Sequence, residues 1–241
     1  MAAAYHFSHI ACGDVVLGPL YRDSRGRRTA DILALDGEPF PVIQTCSFSE
    51  AFHLCPLGLR RTGDPHLDPQ LYVLIIQLQL DSPLARWFSE FDKAVLREAL
   101  DASELFYHFV HPDDDNNDLG SIIEYFFRPS VADGQVTEEG DEEDLRPVLC
   151  ATMKKGSTSE QILYEIGRQG NSVDVADGDV ADLTPGCRVL ACIRPRSLWI
   201  ADGSWGINYE LCRVVVQGSS VDTPTVQAGA LAQTPQASST M

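Results

Sequence analysis

Apolar residues recur at helical spacing over one clear stretch of this chain. From Ser82–Pro83 onward they fall at Leu84, Trp87, Phe88, Phe91, Val95, Leu96, Ala99 and Leu100, steps of three and four that share one helix face. Ser82 suits the N-cap and Pro83 the first helical position, and the helix is expected to end near residues 102–108. The other apolar segments read as strands: Ile10–Leu20, Ile32–Leu35, Val42–Phe48 and, most strongly, Leu71–Leu80. A second strand-rich block holds Val148–Met153, Gln161–Ile166, Val189–Ile193, Ser197–Ala201 and Ile207–Val216. One long helix among strands separated by Gly, Asp and Pro turns predicts a mainly β (α+β) domain, with a β-barrel as its expected form.

The charge is uneven. The 241 residues carry 18 Lys+Arg against 35 Asp+Glu, a formal net charge of −17, which excludes a histone-like or generally basic nucleic-acid binder. Twelve of the acids and one base, Arg128, lie between Asp113 and Asp144, a local net of −11. Two acid runs, DDDNND at 113–118 and EEGDEED at 138–144, lack the apolar content to fold alone and are expected as solvated loops. SIIEYFF between them reads as a strand. Residues 146–217 are neutral, with eight bases and eight acids. From Gly218 the chain is rich in Ser, Thr, Gln, Ala and Pro with Asp222 as its one charge, so 1–217 is expected as one elaborated domain and 218–241 as a disordered tail.

Leu71–Leu80 is broken by two Gln and is half the length of a membrane span, and MAAAYHFSHIACGD has neither the basic start nor the apolar core of a signal peptide. Seven widely spaced cysteines without a CxxC argue against a disulfide framework and for a reducing compartment. There is no GxSxG, no GxGxxG and no Walker loop, since KKGSTSE places Lys before Gly. His53 and Cys55 alone make no dyad, and Cys46, His53, Cys55 and His66 match no zinc spacing. DDDNND lacks the Gly and Glu of a calcium loop. No catalytic residue, metal or cofactor is expected.

The basic residues are clustered: Arg22, Arg25, Arg27 and Arg28, then Arg60–Arg61, then Lys154–Lys155, then Arg188, Arg194, Arg196 and Arg213. Several groups border strands and lie near Tyr21, Trp199, Trp205 or Tyr209. A sheet carrying arginines and aromatics suits single strands: Arg pairs with phosphates, and each base stacked on a ring contributes about 1–3 kcal/mol. The helix mixes Arg86, Lys93 and Arg97 with Glu90, Asp92 and Glu98, which is no major-groove reader. Lys154, Lys155, Arg188, Arg194, Arg196 and Arg213 are the candidate phosphate contacts, and Trp199 and Trp205 the candidate base platforms, with core packing the alternative for each Trp. For Tyr209 core packing is favoured.

Residues 187–216, CRVLACIRPRSLWIADGSWGINYELCRVVV, combine an apolar-Trp-apolar step, a Gly turn, an aromatic-Gly pair and a strand ending in valines. The block resembles the C-terminal signature of the single-stranded DNA-binding proteins of large nucleocytoplasmic DNA viruses, which look like distant relatives of phage proteins built on an OB fold. Pro147–Gly156, PVLCATMKKG, is similar to a second family segment, so 147–217 carries the likeness. Trp199, Gly203, Trp205 and Gly206 match the family pattern, while Ser204 stands where the family tends to have a lysine. The resemblance implies an OB-like barrel with one long helix and acidic loop insertions. It also implies non-enzymatic, sequence-independent binding of single-stranded DNA in viral replication, recombination or repair. It places the protein inside the infected cell, in the nucleus or a cytoplasmic virus factory, with replication proteins as partners and a homo-oligomer as a possible assembly. An acidic interaction or virion protein without nucleic-acid binding is the alternative.

In the phage relatives an acidic C-terminal tail recruits partners and competes with DNA. Here the acids are internal, and residues 113–144 are expected to take that part. Replacing Glu138–Asp144 by a Gly/Ser linker of equal length is expected to raise affinity for oligo-dT at low salt; an unchanged affinity in an anisotropy titration refutes the shielding role.

Overall fold

The computed structural model describes residues 4–23, 26, 28–46, 52–53, 60–61, 71–79, 81–109, 118–132, 148–154, 162–169, 172–179, 182–184, 187–201 and 203–217. The acid runs, apart from Asp118, and the tail from Gly218 lie outside these residues. Two long C-terminal strands organise the sheet: β15 (Arg188–Ala201) and β16 (Ser204–Gln217) pair antiparallel along their whole length. Ala201 pairs with Ser204, so the turn is two residues long, and Gly203 takes the φ of 78° that such a turn demands.

β15 fills one edge of β16. The other edge is shared by three strands running parallel to it: β10 (Phe127–Arg128), β12 (Val148–Lys154) and β13 (Ile162–Gln169). β12 continues through β9 (Leu71–Gln77) to β8 (Arg60–Arg61), and β11 (Val131–Ala132) also joins β12. Outside β15 lie β6 (Val42–Gln44), β7 (Phe52–His53) and, beyond β6, β1 (Ala4–His6). β14 (Ser172–Asp177) pairs with β13. Two small ribbons complete the set: β2 (Val15–Leu17) with β5 (Ile32–Ala34), and β3 (Tyr21–Arg22) with β4 (Arg28–Thr29).

This is a mixed, sheet-rich α+β fold, and the expected barrel is corrected. Pairing among the described residues runs open from β1 to β8, because short strands divide the second edge of β16 rather than one strand closing a ring.

The helix α1 (Pro83–Asp101) forms as its periodicity requires. The Ser82 hydroxyl accepts from the Ala85 amide at 3.1 Å, and Leu84, Trp87, Phe88, Phe91, Val95 and Ala99 are buried against the sheet. Trp87 stacks on Phe91, Phe91 meets Phe40, and Phe88 meets Tyr209 edge to face, so aromatic rings join helix to sheet. Among the described residues no helix is long and apolar enough to cross a membrane.

Three sequence expectations change. SIIEYFF forms mainly a second helix, α2 (Leu119–Phe126), with Asp118 capping the Gly120 amide at 3.1 Å. Its apolar residues Leu119, Ile122, Ile123 and Phe126 also fit a helical stripe, and the cap decides between the two periods. The stretch 113–144 therefore holds a packed helix and the short strands β10 and β11, not loop alone. Val189–Ile193 and Ser197–Ala201 are one strand, since Pro195 is accommodated at a bulge between Pro195 and Ser197.

One acid is buried in the apolar face of α1. Asp92 accepts from the Ser130 amide at 2.9 Å and from the Ser130 hydroxyl, which also lies 2.6 Å from the Tyr209 hydroxyl. Burial pushes the Asp92 carboxyl up from 3.8 to about 6, with the Ser130 hydrogen bonds opposing. A carboxyl raised in the folded state contributes most stability below its unfolded pKa and loses it as pH climbs through the folded value. Relative to wild type, Asp92→Asn is expected to gain roughly 2 kcal/mol between pH 4 and pH 7, read from urea midpoints at each pH. A pH-independent difference overturns this.

Candidate nucleic-acid interface

Alternation along β15 sorts its side chains. Val189, Ala191 and Ile193, then Leu198 and Ile200 after the bulge, enter the main core with α1. Arg188, Leu190, Cys192 and Arg194, then Ser197 and Trp199, take the opposite face, where the β16 partner Arg213 stands across from Cys192. This outer face is no open platform over its whole length. Leu190, Cys192 and Val215 are buried there in a second apolar cluster with Val42 and Cys46.

The expected site residues accordingly separate. Trp205 is completely buried between Phe106 and Phe127, and its indole N–H donates to the Ile123 carbonyl at 2.8 Å. Neither face of its ring is open to a base, and the core reading is the one the structure takes. Tyr209 is likewise buried. Trp199 is half-buried, its ring lying over Gly206. Arg188 is exposed but stands eight residues along β15 from Arg196, roughly 25 Å at strand rise. Arg213 is half-buried between these ends. Lys154 ends β12, opposite Leu71, and Lys155 lies outside the described residues.

Arg194 and Arg196 do come together. Both reach Glu210 on β16, Arg194 Nη2 at 2.7 Å from Oε2 and Arg196 Nη1 at 3.8 Å from Oε1. The hydrogen bond from Arg194 holds its guanidinium above its usual value, so its charge is committed to Glu210. Arg196 is the extra residue of the β-bulge and stays 54 % exposed. The bulge turns it toward solvent at the end of the sheet where the β3–β4 ribbon docks.

That ribbon was not among the expected site residues. The Thr29 hydroxyl donates to the Leu198 carbonyl at 2.6 Å, the Leu198 amide to Ala30 at 2.8 Å, and Asp31 bridges to Ser197. This docking presents Tyr21, 43 % exposed, beside Arg22 and Arg28. The Tyr21 hydroxyl donates to Asp31 at 2.7 Å, which raises its pKa, and the Arg196 charge opposes that rise, so Arg196 belongs to the same neighbourhood. Leu20, Tyr21, Arg22, Arg28 and Glu104 line an open cleft of about 500 Å³. An exposed ring among guanidinium groups can hold a base on its face and phosphates at its edge. The signal was present in YRDSRGRR, where four arginines surround a Tyr-led turn. Among the described residues no three His, Cys, Asp or Glu side chains converge to hold a metal; Cys55 and His66 lie outside them.

No protein-family model matches the chain, and comparison with curated proteins returns no match. Among solved structures it is similar to the single-stranded DNA-binding protein of bacteriophage Enc34 in complex with ssDNA, at 17% identity and TM-score 0.36, over 84% of this chain and 96% of that one. It is also similar to gp2.5, the single-stranded DNA-binding protein of bacteriophage T7, at 12% identity and TM-score 0.37, over 80% and 100%. Likeness at this level assigns no role to any residue of this chain.

The Trp199–Gly206 pair explains the aromatic-Gly spacing. A Cβ on Gly206 would stand 3.0 Å from two Trp199 ring carbons and 3.0 Å from the Arg128 carbonyl oxygen. Backbone on one side and a ring on the other leave it no room. Gly206→Ala is expected to destabilise the fold by about 1–3 kcal/mol in chemical denaturation, with a shift in Trp emission. A neutral variant refutes the packing role.

Proposed function

We propose that this protein binds single-stranded DNA without catalysis and with little dependence on sequence, in DNA replication. The observation that carries the reading is the cleft at the bulged end of β15, where exposed Tyr21 stands among Arg22, Arg28 and Arg196. A duplex reader would present a polar helix to the major groove, whereas α1 buries its apolar face and mixes both charges on the other. A single strand needs only a ring for its bases and cations for its backbone, and the cleft offers both.

The reading relocates the footprint within the sheet. Arg196, and Trp199 on the same face of β15, remain from the original set, with Arg194 held on Glu210 as a support. Arg188, Arg213 and Lys154 extend the path along β15, β16 and β12 for a longer strand, and Lys155, outside the described residues, belongs to the same proposal. Recombination and repair, a viral setting inside the infected cell, and recruitment of replication proteins by the acid runs belong to the same proposal. They are supported by the resemblance of residues 147–217.

Anisotropy titration of the full chain with labelled oligo-dT tests it. Binding is expected to weaken as salt rises, with log K linear in log salt. Tyr21→Ala is expected to cost about 1–3 kcal/mol. Arg196→Gln is expected to lower the salt slope by about 0.7. Absence of binding at low salt refutes the proposal and favours an acidic interaction protein.

A further inference from the structure

One residue lining the Tyr21 cleft is acidic, which a site for nucleic-acid backbone alone does not call for. Glu104 lies in the first turn of the 3₁₀ helix Ser103–Phe109 that follows α1, and it lines the same cleft as Tyr21, Arg22 and Arg28. The residues behind it are fixed. Leu105 and Phe106 are buried, and Phe106 packs on Trp205 in the core. The position of Glu104 is therefore set by the fold rather than by a freely moving loop. Its side chain is exposed, and among the described residues no hydrogen bond or ion pair engages its carboxylate, although two arginines line the same cleft.

We infer that Glu104 reads the edge of the base that stacks on Tyr21 and favours cytosine over thymine at that one position. The inference rests on the single-stranded DNA reading and sharpens it. A base on the Tyr21 ring has its sugar and phosphate directed to one side of the cleft and its hydrogen-bonding edge to the other. The cleft lining offers both kinds of group, Arg22 and Arg28 for phosphate and Glu104 for a base edge. A carboxylate accepts only, so it pairs with the exocyclic amine of cytosine and is repelled by the carbonyl oxygen that thymine carries at the same place. Cytosine and thymine are both pyrimidines that can stack on a tyrosine face, so the difference between them isolates the edge contact. Glu104 also repels phosphate, which discourages a strand from entering the cleft backbone first.

The test is anisotropy titration of the full chain with labelled oligo-dC and oligo-dT of equal length, at one low salt concentration, for wild type, Glu104→Gln and Tyr21→Ala. Wild type is expected to bind oligo-dC about fivefold more tightly, the low end for a base-edge contact. An amide can donate as well as accept, so Glu104→Gln is expected to bring the ratio close to one. Tyr21→Ala is expected to weaken both oligonucleotides and also reduce the ratio, because the base is no longer held against Glu104. Equal affinities in wild type, or a preference that survives Glu104→Gln, overturn the inference and leave single-stranded DNA binding standing. So does a Glu104→Gln variant that gains equally on both oligonucleotides, since Glu104 is then only a repulsive charge. No binding of either oligonucleotide overturns the underlying reading and the inference with it.

Discussion

The β15–β16 hairpin is the contact on which the fold depends. β16 has one edge filled by β15 and the other divided among β10, β12 and β13, so among the described residues the sheet has no continuous route from one side to the other that avoids it. One face of β16 is apolar, and the other is apolar only near its end. Trp205, Ile207, Tyr209, Leu211, Val214 and Val216 enter the main core, while Val215 enters the cluster opposite. Before that end the second face carries Asn208, Glu210 and Arg213, each half-buried. Trp205 is structural because it lies on the core face, where its ring packs against Phe106 and Phe127.

The proposed interface depends on an irregularity in the same hairpin. A Pro in β15 lacks the amide a ladder would use, and the extra residue beside it is Arg196. Regular alternation would continue the outer face as a flat row. The bulge instead lets β15 continue to the turn while its outer edge changes partner from β6 to the segment Ala30–Asp31, which carries the Tyr21 ribbon. Scaffold and cleft thus come from adjacent positions of one strand, the scaffold from the ladder and the cleft from its interruption.

Much of the architecture was legible because it rests on periodicity and punctuation. The α1 stripe, its Ser82–Pro83 start, and the strands at 71–77, 148–154 and 204–217 follow from local pattern. SIIEYFF was not legible as a helix because its β-branched and aromatic residues satisfy a strand pattern, and only the Asp118 cap separates the two. Pro195 suggested a break because sequence does not show that a neighbouring edge leaves room for a bulge. The interface was harder still. Trp199 and Trp205 carry the strongest aromatic signal, yet aromatic residues in strands are equally suited to core, and partner strands decide which they become. Tyr21 and the arginines around it stood 160 residues or more from β15's Arg196, and only tertiary docking of the ribbon brings them together. Closure into a barrel is a property of strand order, which local pattern does not encode.

The order of synthesis gives the central hairpin a further meaning. β16 follows β10, β12 and β13 in the sequence, and all three must wait for it before their parallel edges are covered. Until then a nascent chain carries α1 with an aromatic face and several strands with open edges, the state most prone to sticking to a neighbour. Folding of this domain is therefore set by long-range pairing rather than by its good local helix, which places it among slow folders. A chain cut short before residue 204 loses not one strand but the common partner of four others.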